Sequence, residues 1–143
     1  MINILVSSCL LGTNCKWNGK NNLKDKVVAL GNHYNLVPFC SEVLSGMPTP
    51  RIPSEIVGDK VLNQVELDVT DFFKLGAKKA LEIAISNNCK YAIVKDHSPS
   101  CGVHQIYDGT FSRHLIEGKG YTTRLLERNG IKVFAEDEVD KLI

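Results

Sequence analysis

Three cysteines, Cys9, Cys40 and Cys101, each stand at or just past the end of a short apolar run: "INILVSS" (2–8), "NLVPFC" (35–40) and "YAIVK" (91–95). Thiolates are soft ligands, suited to iron–sulfur clusters, zinc or copper(I). A set of three leaves one coordination position open, as sites that handle substrate require and closed structural sites do not. His97 and His104 flank Cys101 in "VKDHSPSCGVHQIYDGTF" (94–111). Either imidazole with the three thiolates would make a zinc site, and on spacing alone zinc and a 4Fe–4S cluster are close to even. Around these cysteines stand other groups able to do chemistry: Glu42, two residues past Cys40; Ser98 and Ser100 beside Cys101; Arg51 among prolines; and Lys95 next to Asp96. Each has an ordinary alternative. Glu42 could cap the turn after its strand, the serines could make local loop hydrogen bonds, Arg51 could tie down its own loop, and Lys95 could pair with Asp96.

The elements that must position these groups alternate in type. Residues 2–8 read as a buried strand, 23–34 as a short amphipathic helix, and 35–40 as a second strand that Pro38 places near an edge or a strand end. Residues 45–59 carry three of the five prolines and read as an ordered functional loop without regular structure; 60–68 offers a short hairpin arm. "TDFFKLGAKKALEIAISNN" (70–88) is a helix opened by a threonine cap, with Phe73, Ala77, Ala80, Leu81 and Ala84 forming its apolar stripe. Residues 91–95 give a third strand, and 105–112 a hairpin on its Asp-Gly step. A helix over 122–130, a fourth strand over 131–135 and a terminal helix over 136–143 complete the chain. "EGKGYTT" (117–123) opens a helix and is expected to be a capped start rather than a phosphate site.

Short apolar strands alternating with helices imply a small Rossmann-like three-layer α/β domain spanning 1–143, with a mainly parallel four-stranded sheet and a hairpin excursion. In such sheets ligands bind outside the carboxyl ends of the strands, near the point where strand order reverses. Cys9, Cys40 and Cys101 all fall there. Cys89, between a helix end and a strand start, falls at the opposite edge and reads as structural. Cys15 has no strand end to position it and is left undecided.

Composition narrows the function classes. The chain of 143 residues has a net charge of +1, which gives no electrostatic footprint of nucleic-acid binding. Its opening, "MINILVSSCLLG", reads as a core strand rather than a signal peptide, and no membrane span is expected. A cytoplasmic protein with reduced thiols follows, and five cysteines in that setting point to metal binding or catalysis ahead of disulfides. The absence of C-x-x-C argues against a dithiol redox enzyme. Nothing in the sequence sets an oligomeric state.

Several blocks together resemble the thiouracil desulfidase (TudS-like) family. "SSCLLGTNCKWNG" is similar to its N-terminal S-x-C-L-L-G signature. "VPFCSEVLSGMPTPRIPSEI" resembles its V-P-x-C-P-E-x-x-x-G-x-P-T-P-R-x-P segment, and "SPSCGVHQIYDGTF" its S-P-S-C-G-x-x-x-I-Y-D-G-T-F block. "GYTTRLLERNGIKVF" is similar to the family's ending, so the likeness covers nearly the whole chain. The resemblance implies a 4Fe–4S cluster held by Cys9, Cys40 and Cys101, with one iron free to take sulfur from a thiolated uracil. It implies an acid–base role for Glu42 and a role for Ser98 or Ser100, with Ser98 favoured. Arg51 and Lys95 are candidates for binding substrate. Ser41 departs from the family's proline, a change expected to loosen the loop that aims Glu42. His97 and His104 receive no role from the resemblance. Larger relatives carry an additional domain and act on thiolated tRNA; with the core alone, the expected partner is a small thiolated pyrimidine, free base or nucleoside, and not a nucleic acid. The competing reading is a non-catalytic zinc- or ligand-binding module that uses the same cysteines with His97 or His104.

Overall fold

The computed structural model describes residues 1–142. Its centre is a four-stranded parallel sheet in the order β2 (Asn35–Phe39), β1 (Asn3–Ser7), β5 (Tyr91–Val94), β8 (Lys132–Ala135). The near-continuous apolar sequence of these strands reflects burial on both faces. Along β1, Ile4 and Val6 enter one core with Val27, Leu30, Ile93, Phe134 and Val139. Leu5 enters the other, with Ala80, Ala84, Leu126 and Val133. The first core lies under α1 (Asp25–Ala29), the second under α3 (Thr70–Ser86) and α4 (Tyr121–Arg128), which gives the three expected layers. Pro38 sits on the edge strand β2, where a missing N–H costs no ladder bond.

Two antiparallel hairpins are added to this frame: β3 (Ser54–Val57) with β4 (Lys60–Asn63), and β6 (Gln105–Tyr107) with β7 (Leu115–Glu117). The first corrects the reading of 45–59 as wholly irregular. The prolines end at Pro53, and the residues after it are free to pair. In the second, the Asp-Gly step does not make a tight turn. Asp108 Oδ1 accepts from the Thr110 amide and hydroxyl, and Glu55 Oε1 accepts from the Gly109 and Phe111 amides, so residues 108–114 form a wider loop.

Other boundaries shift for local reasons. α1 stops at Ala29 and passes into a 3₁₀ turn, Leu30–Asn32, at a glycine and an asparagine of low helix propensity. Thr70 is the first helical residue of α3 rather than its cap: Asp68 Oδ1 accepts from the Thr70 amide at 2.9 Å, and Thr70 Oγ1 accepts from the Val61 amide at 2.9 Å. The chain ends in a 3₁₀ turn, Val139–Leu142, in place of a longer helix, and Ile143 lies outside the described residues. Among the described residues no helix is long and apolar enough to cross a membrane.

Candidate active site

From β1 the chain runs to β2 on one side, then returns to β5 on the other, so strand order reverses beside β1. The loops after β1, β2 and β5 meet over that point around a cavity of about 380 Å³. Cys9, Cys40 and Cys101 all line it, as do Glu42, Lys95, Ser98 and Ser100. Cys89 does not; it is buried in the core between α3 and β5, where burial raises its thiol pKa.

Each loop is built to hold its cysteine. Asp96, buried after β5, gathers the amides of His97 (2.8 Å), Val103 (2.7 Å) and His104 (3.2 Å) on Oδ1. Burial alone would raise its pKa, but these N–H donors outweigh burial and hold the carboxyl below its usual range. The Cys101 loop is closed from the other side by the start of α4. The amides of Tyr121 and Thr122 donate to the carbonyls of Pro99 and Ser100, both at 2.9 Å, and Gly120 N donates to Gly102 O at 2.8 Å. The helix start at 117–123 is therefore occupied by the chain's own carbonyls and offers no phosphate site. Gly120 is required here: a Cβ would lie 2.4 Å from the Ser100 carbonyl carbon and oxygen.

After β2, Cys40 leads into a single helical turn, α2 (Ser41–Leu44), that the sequence did not suggest. Ser41 is buried, shares a 2.7 Å hydrogen bond with Thr122 Oγ1, and its carbonyl lies where a Cβ on Gly76 would come within 2.3 Å. The expected loosening by Ser41 is absent, because two helices grip this residue. Glu42 then points into the cavity with both oxygens engaged. Oε1 accepts from Arg51 Nε at 2.9 Å, and Oε2 accepts from Ser100 Oγ at 3.0 Å. Ser98 Oγ accepts from the Cys101 amide at 2.8 Å and lies 3.1 Å from Ser100 Oγ. Because Ser100 gives its proton to Glu42, the Ser98 hydroxyl is the donor between the two serines. Ser100, rather than the favoured Ser98, touches the carboxylate.

Arg51 is not a free fork awaiting a substrate. Only 6% of its side chain is exposed, and besides Glu42 it donates to Cys15 O (2.8 Å), Thr49 Oγ1 (3.0 Å) and Pro48 O (3.3 Å). It brackets the Glu42 turn, the proline-rich loop and the loop carrying Cys15. Lys95 pairs with Glu136 at 3.4 Å instead of the Asp96 carboxylate, and remains on the cavity wall. His97 lines the cavity with its ring edge-on to Tyr107. His104 does not: its Nε2 lies 2.6 Å from Glu138 Oε1 on the surface.

Cys15 is the residue that sequence reasoning left undecided. It is buried in the cavity wall, and Cys40 Sγ lies 3.9 Å from its carbonyl oxygen. No strand end announced it; the loop that delivers it folds back through Asn22 N to Cys9 O (2.9 Å) and Lys24 N to Leu10 O (3.0 Å). The neighbouring Cys15 thiol lowers the Cys40 pKa to about 7, against the opposing effect of burial and with help from the Val43 amide. Cys15 nearby, with a hydrogen bond from Asn22 Nδ2, lowers the Cys9 pKa despite burial. The Cys15 pKa is raised in return, by its neighbours Cys40 and Cys9 and then by burial. Burial pushes the Cys101 thiol up to about 12.

This arrangement can be set beside known proteins. The model of the family described as 2-thiouracil desulfurase matches residues 4–138. The chain belongs to that family. Among its relatives, the uncharacterized protein YbbK of Bacillus subtilis (strain 168) is 39% identical over 150 residues, covering 98% of this chain and 99% of YbbK. A solved structure, the [4Fe-4S]-dependent thiouracil desulfidase TudS, superposes with a TM-score of 0.94 at 40% identity, covering 99% of this chain and 95% of TudS. The resemblance read from the motif blocks and the α/β architecture are thus both borne out. As a desulfurase family member the chain is an enzyme of the sulfur-removing type.

TudS depends on a [4Fe-4S] cluster, and the donors of this cavity suit such a group. The cavity presents three soft thiols from three loops, Cys9, Cys40 and Cys101. Among the described residues no three His, Cys, Asp or Glu groups stand close enough together to hold one metal ion. Thiolates are the ligand type that iron–sulfur clusters take.

Proposed function

We propose that this desulfurase removes sulfur from a thiolated uracil, as free base or small nucleoside, and releases uracil and sulfide without net electron transfer. Cys9, Cys40 and Cys101 would hold a 4Fe–4S cluster. When bound, such a cluster with three protein ligands supplies a Lewis-acidic iron with an open position suited to a soft sulfur. The observation that carries the reading is the convergence on one cavity of three thiols and a carboxylate already hydrogen-bonded to a serine pair.

Replacing sulfur by oxygen adds one water to the ring carbon and expels hydrogen sulfide. A base must take a proton from the water, and an acid must return one to the departing sulfur. We assign both roles in turn to Glu42, a cavity-wall carboxylate hydrogen-bonded to the Ser100 hydroxyl. Arg51 fixes the Glu42 side chain through Oε1, which leaves Oε2 and the Ser100 hydroxyl as the mobile end of the pair. The Ser98–Ser100 chain lets the proton redistribute along hydroxyls without moving the carboxylate. Trp17, Tyr107 and Phe111 supply apolar wall for a flat ring, and Lys95 a cation for a ring or sugar oxygen. Ligand thiols of this kind persist in a reducing compartment such as the cytosol.

The zinc-module alternative needs a histidine beside the thiols. His104 is taken by Glu138, which leaves His97 as its single candidate on the cavity wall. The deciding experiment is anaerobic reconstitution followed by iron, zinc and acid-labile sulfide analysis and a thiouracil assay. Iron and sulfide at about four each per chain, with uracil formed, is the expected result. Stoichiometric zinc without sulfide and without turnover overturns the proposal.

A further inference from the structure

Cys15 is a cavity thiol for which the proposed reaction has no use. Its exposure is 6%, and it lines the cavity together with Cys9 and Cys40. Cys40 Sγ also approaches the Cys15 carbonyl oxygen at 3.9 Å. That carbonyl is pinned by Arg51 Nη2 at 2.8 Å, so the neighbourhood of the two residues is built by the buried guanidinium and is no loose encounter of loops. Of the other two site thiols, Cys9 Sγ accepts from Asn22 Nδ2 at 3.5 Å, and Cys101 Sγ from the Ser7 hydroxyl at 3.9 Å. All five cysteines are free thiols.

We infer that Cys15 is the disulfide partner of Cys40 when the cavity holds no cluster and a hydroperoxide is present. The Cys40 sulfur attacks a peroxide oxygen and the O–O bond breaks, leaving a sulfenic acid and one water. The Cys15 sulfur then displaces the sulfenic oxygen, the S–S bond forms, and a second water leaves. Two thiols give up two electrons and two protons, and one hydrogen peroxide accepts them as two waters. A sulfenic acid without such a partner proceeds to sulfinic and sulfonic acids, which thiol reductants do not reverse. Cys15 therefore keeps a ligand position recoverable. That benefit rests on the cluster reading above; the thiol chemistry does not.

The test uses the cluster-free chain, stripped by chelator under reducing conditions and treated with one equivalent of hydrogen peroxide. Alkylation, trypsin digestion and tandem mass spectrometry follow. The chain is expected to lose two of its five thiols, with peptide 1–16 joined to peptide 27–51 through Cys15 and Cys40. Dithiothreitol should restore all five. In Cys15→Ser given about three equivalents, enough to carry one sulfur through sulfenic and sulfinic to sulfonic acid, the recoverable thiol at Cys40 should fall about tenfold. In Cys40→Ser at one equivalent, Cys15 should stay reduced, which supplies a second readout if one variant folds poorly. An alkylatable Cys15 beside an oxidised Cys40, or a Cys9–Cys40 bond in place of the expected one, overturns the inference. Absence of iron and sulfide in reconstituted wild-type protein would sink the cluster reading and leave this measurement untouched.

Discussion

Glu42 sits where stability and chemistry can be separated by two substitutions. Glu42→Ala removes the acceptor of Arg51 Nε and of Ser100 Oγ together, beneath a guanidinium that is 6% exposed. A charge-assisted hydrogen bond contributes about 1.5–3 kcal/mol and a neutral donor left without a partner about 1. Arg51 retains its bonds to Pro48, Thr49 and Cys15, so the cost should lie at the low end for a broken buried pair, about 3 kcal/mol. For a chain of this size that is a fall in Tm of roughly 10 °C. Glu42→Gln keeps a carbonyl oxygen for Arg51, and its amide can donate to Ser100 once that hydroxyl turns; about 1 kcal/mol, or roughly 4 °C, is expected. Turnover should respond differently. Neither variant can take a proton from water at neutral pH, so both should lose about 10²–10⁴ in kcat. The assay is thermal melting beside uracil release, with iron content measured on the same samples. A Glu42→Gln enzyme that keeps its iron and turns over at the wild-type rate refutes the acid–base role. A Glu42→Ala protein that melts with the wild type refutes the ion-pair reasoning.

Three further outcomes follow from the same structure. Cys101→Ala should fold, because alanine fits the core that the cysteine joins, yet lose most of its iron and sulfide on metal analysis. Gly120→Ala touches no ligand, but its Cβ would sit 2.4 Å from the Ser100 carbonyl, so it should lower cluster content and turnover by displacing the Cys101 loop; normal iron content would show that this loop yields freely. Glu138 should make acid stability pH-dependent. Burial would raise its pKa, but donors from Lys141, the Ala135 amide and His104 bring it down to about 2. A carboxyl lowered on folding contributes stability above its unfolded value, here about 4.5, that is lost as pH falls toward about 2. Glu138→Gln should flatten urea-denaturation midpoints across that window, and an unchanged slope there would exclude it as the source.

The sequence alone determined the sheet, its layers and the edge at which the chemistry gathers. Continuous apolar strands are legible because burial on both faces leaves no polar alternation to blur them, and their carboxyl ends name Cys9, Cys40 and Cys101 directly. The motif blocks added Glu42 and the serines. What only tertiary structure decided were the contacts made by groups with many rotatable bonds or no regular element behind them. From its sequence Arg51 could bind substrate or tie down its own loop; in the structure four acceptors from three segments take up its guanidinium. Ser41 reads as a loosened turn, yet Thr122 and the close approach of Gly76 fix it. Cys15 has no strand to carry it, and its place among the site thiols depends on a loop folding back onto Cys9 and on the buried arginine that holds its carbonyl. Periodicity reports which face of an element is buried. It carries no record of which distant side chains meet there, because those meetings are set by packing after the elements have formed.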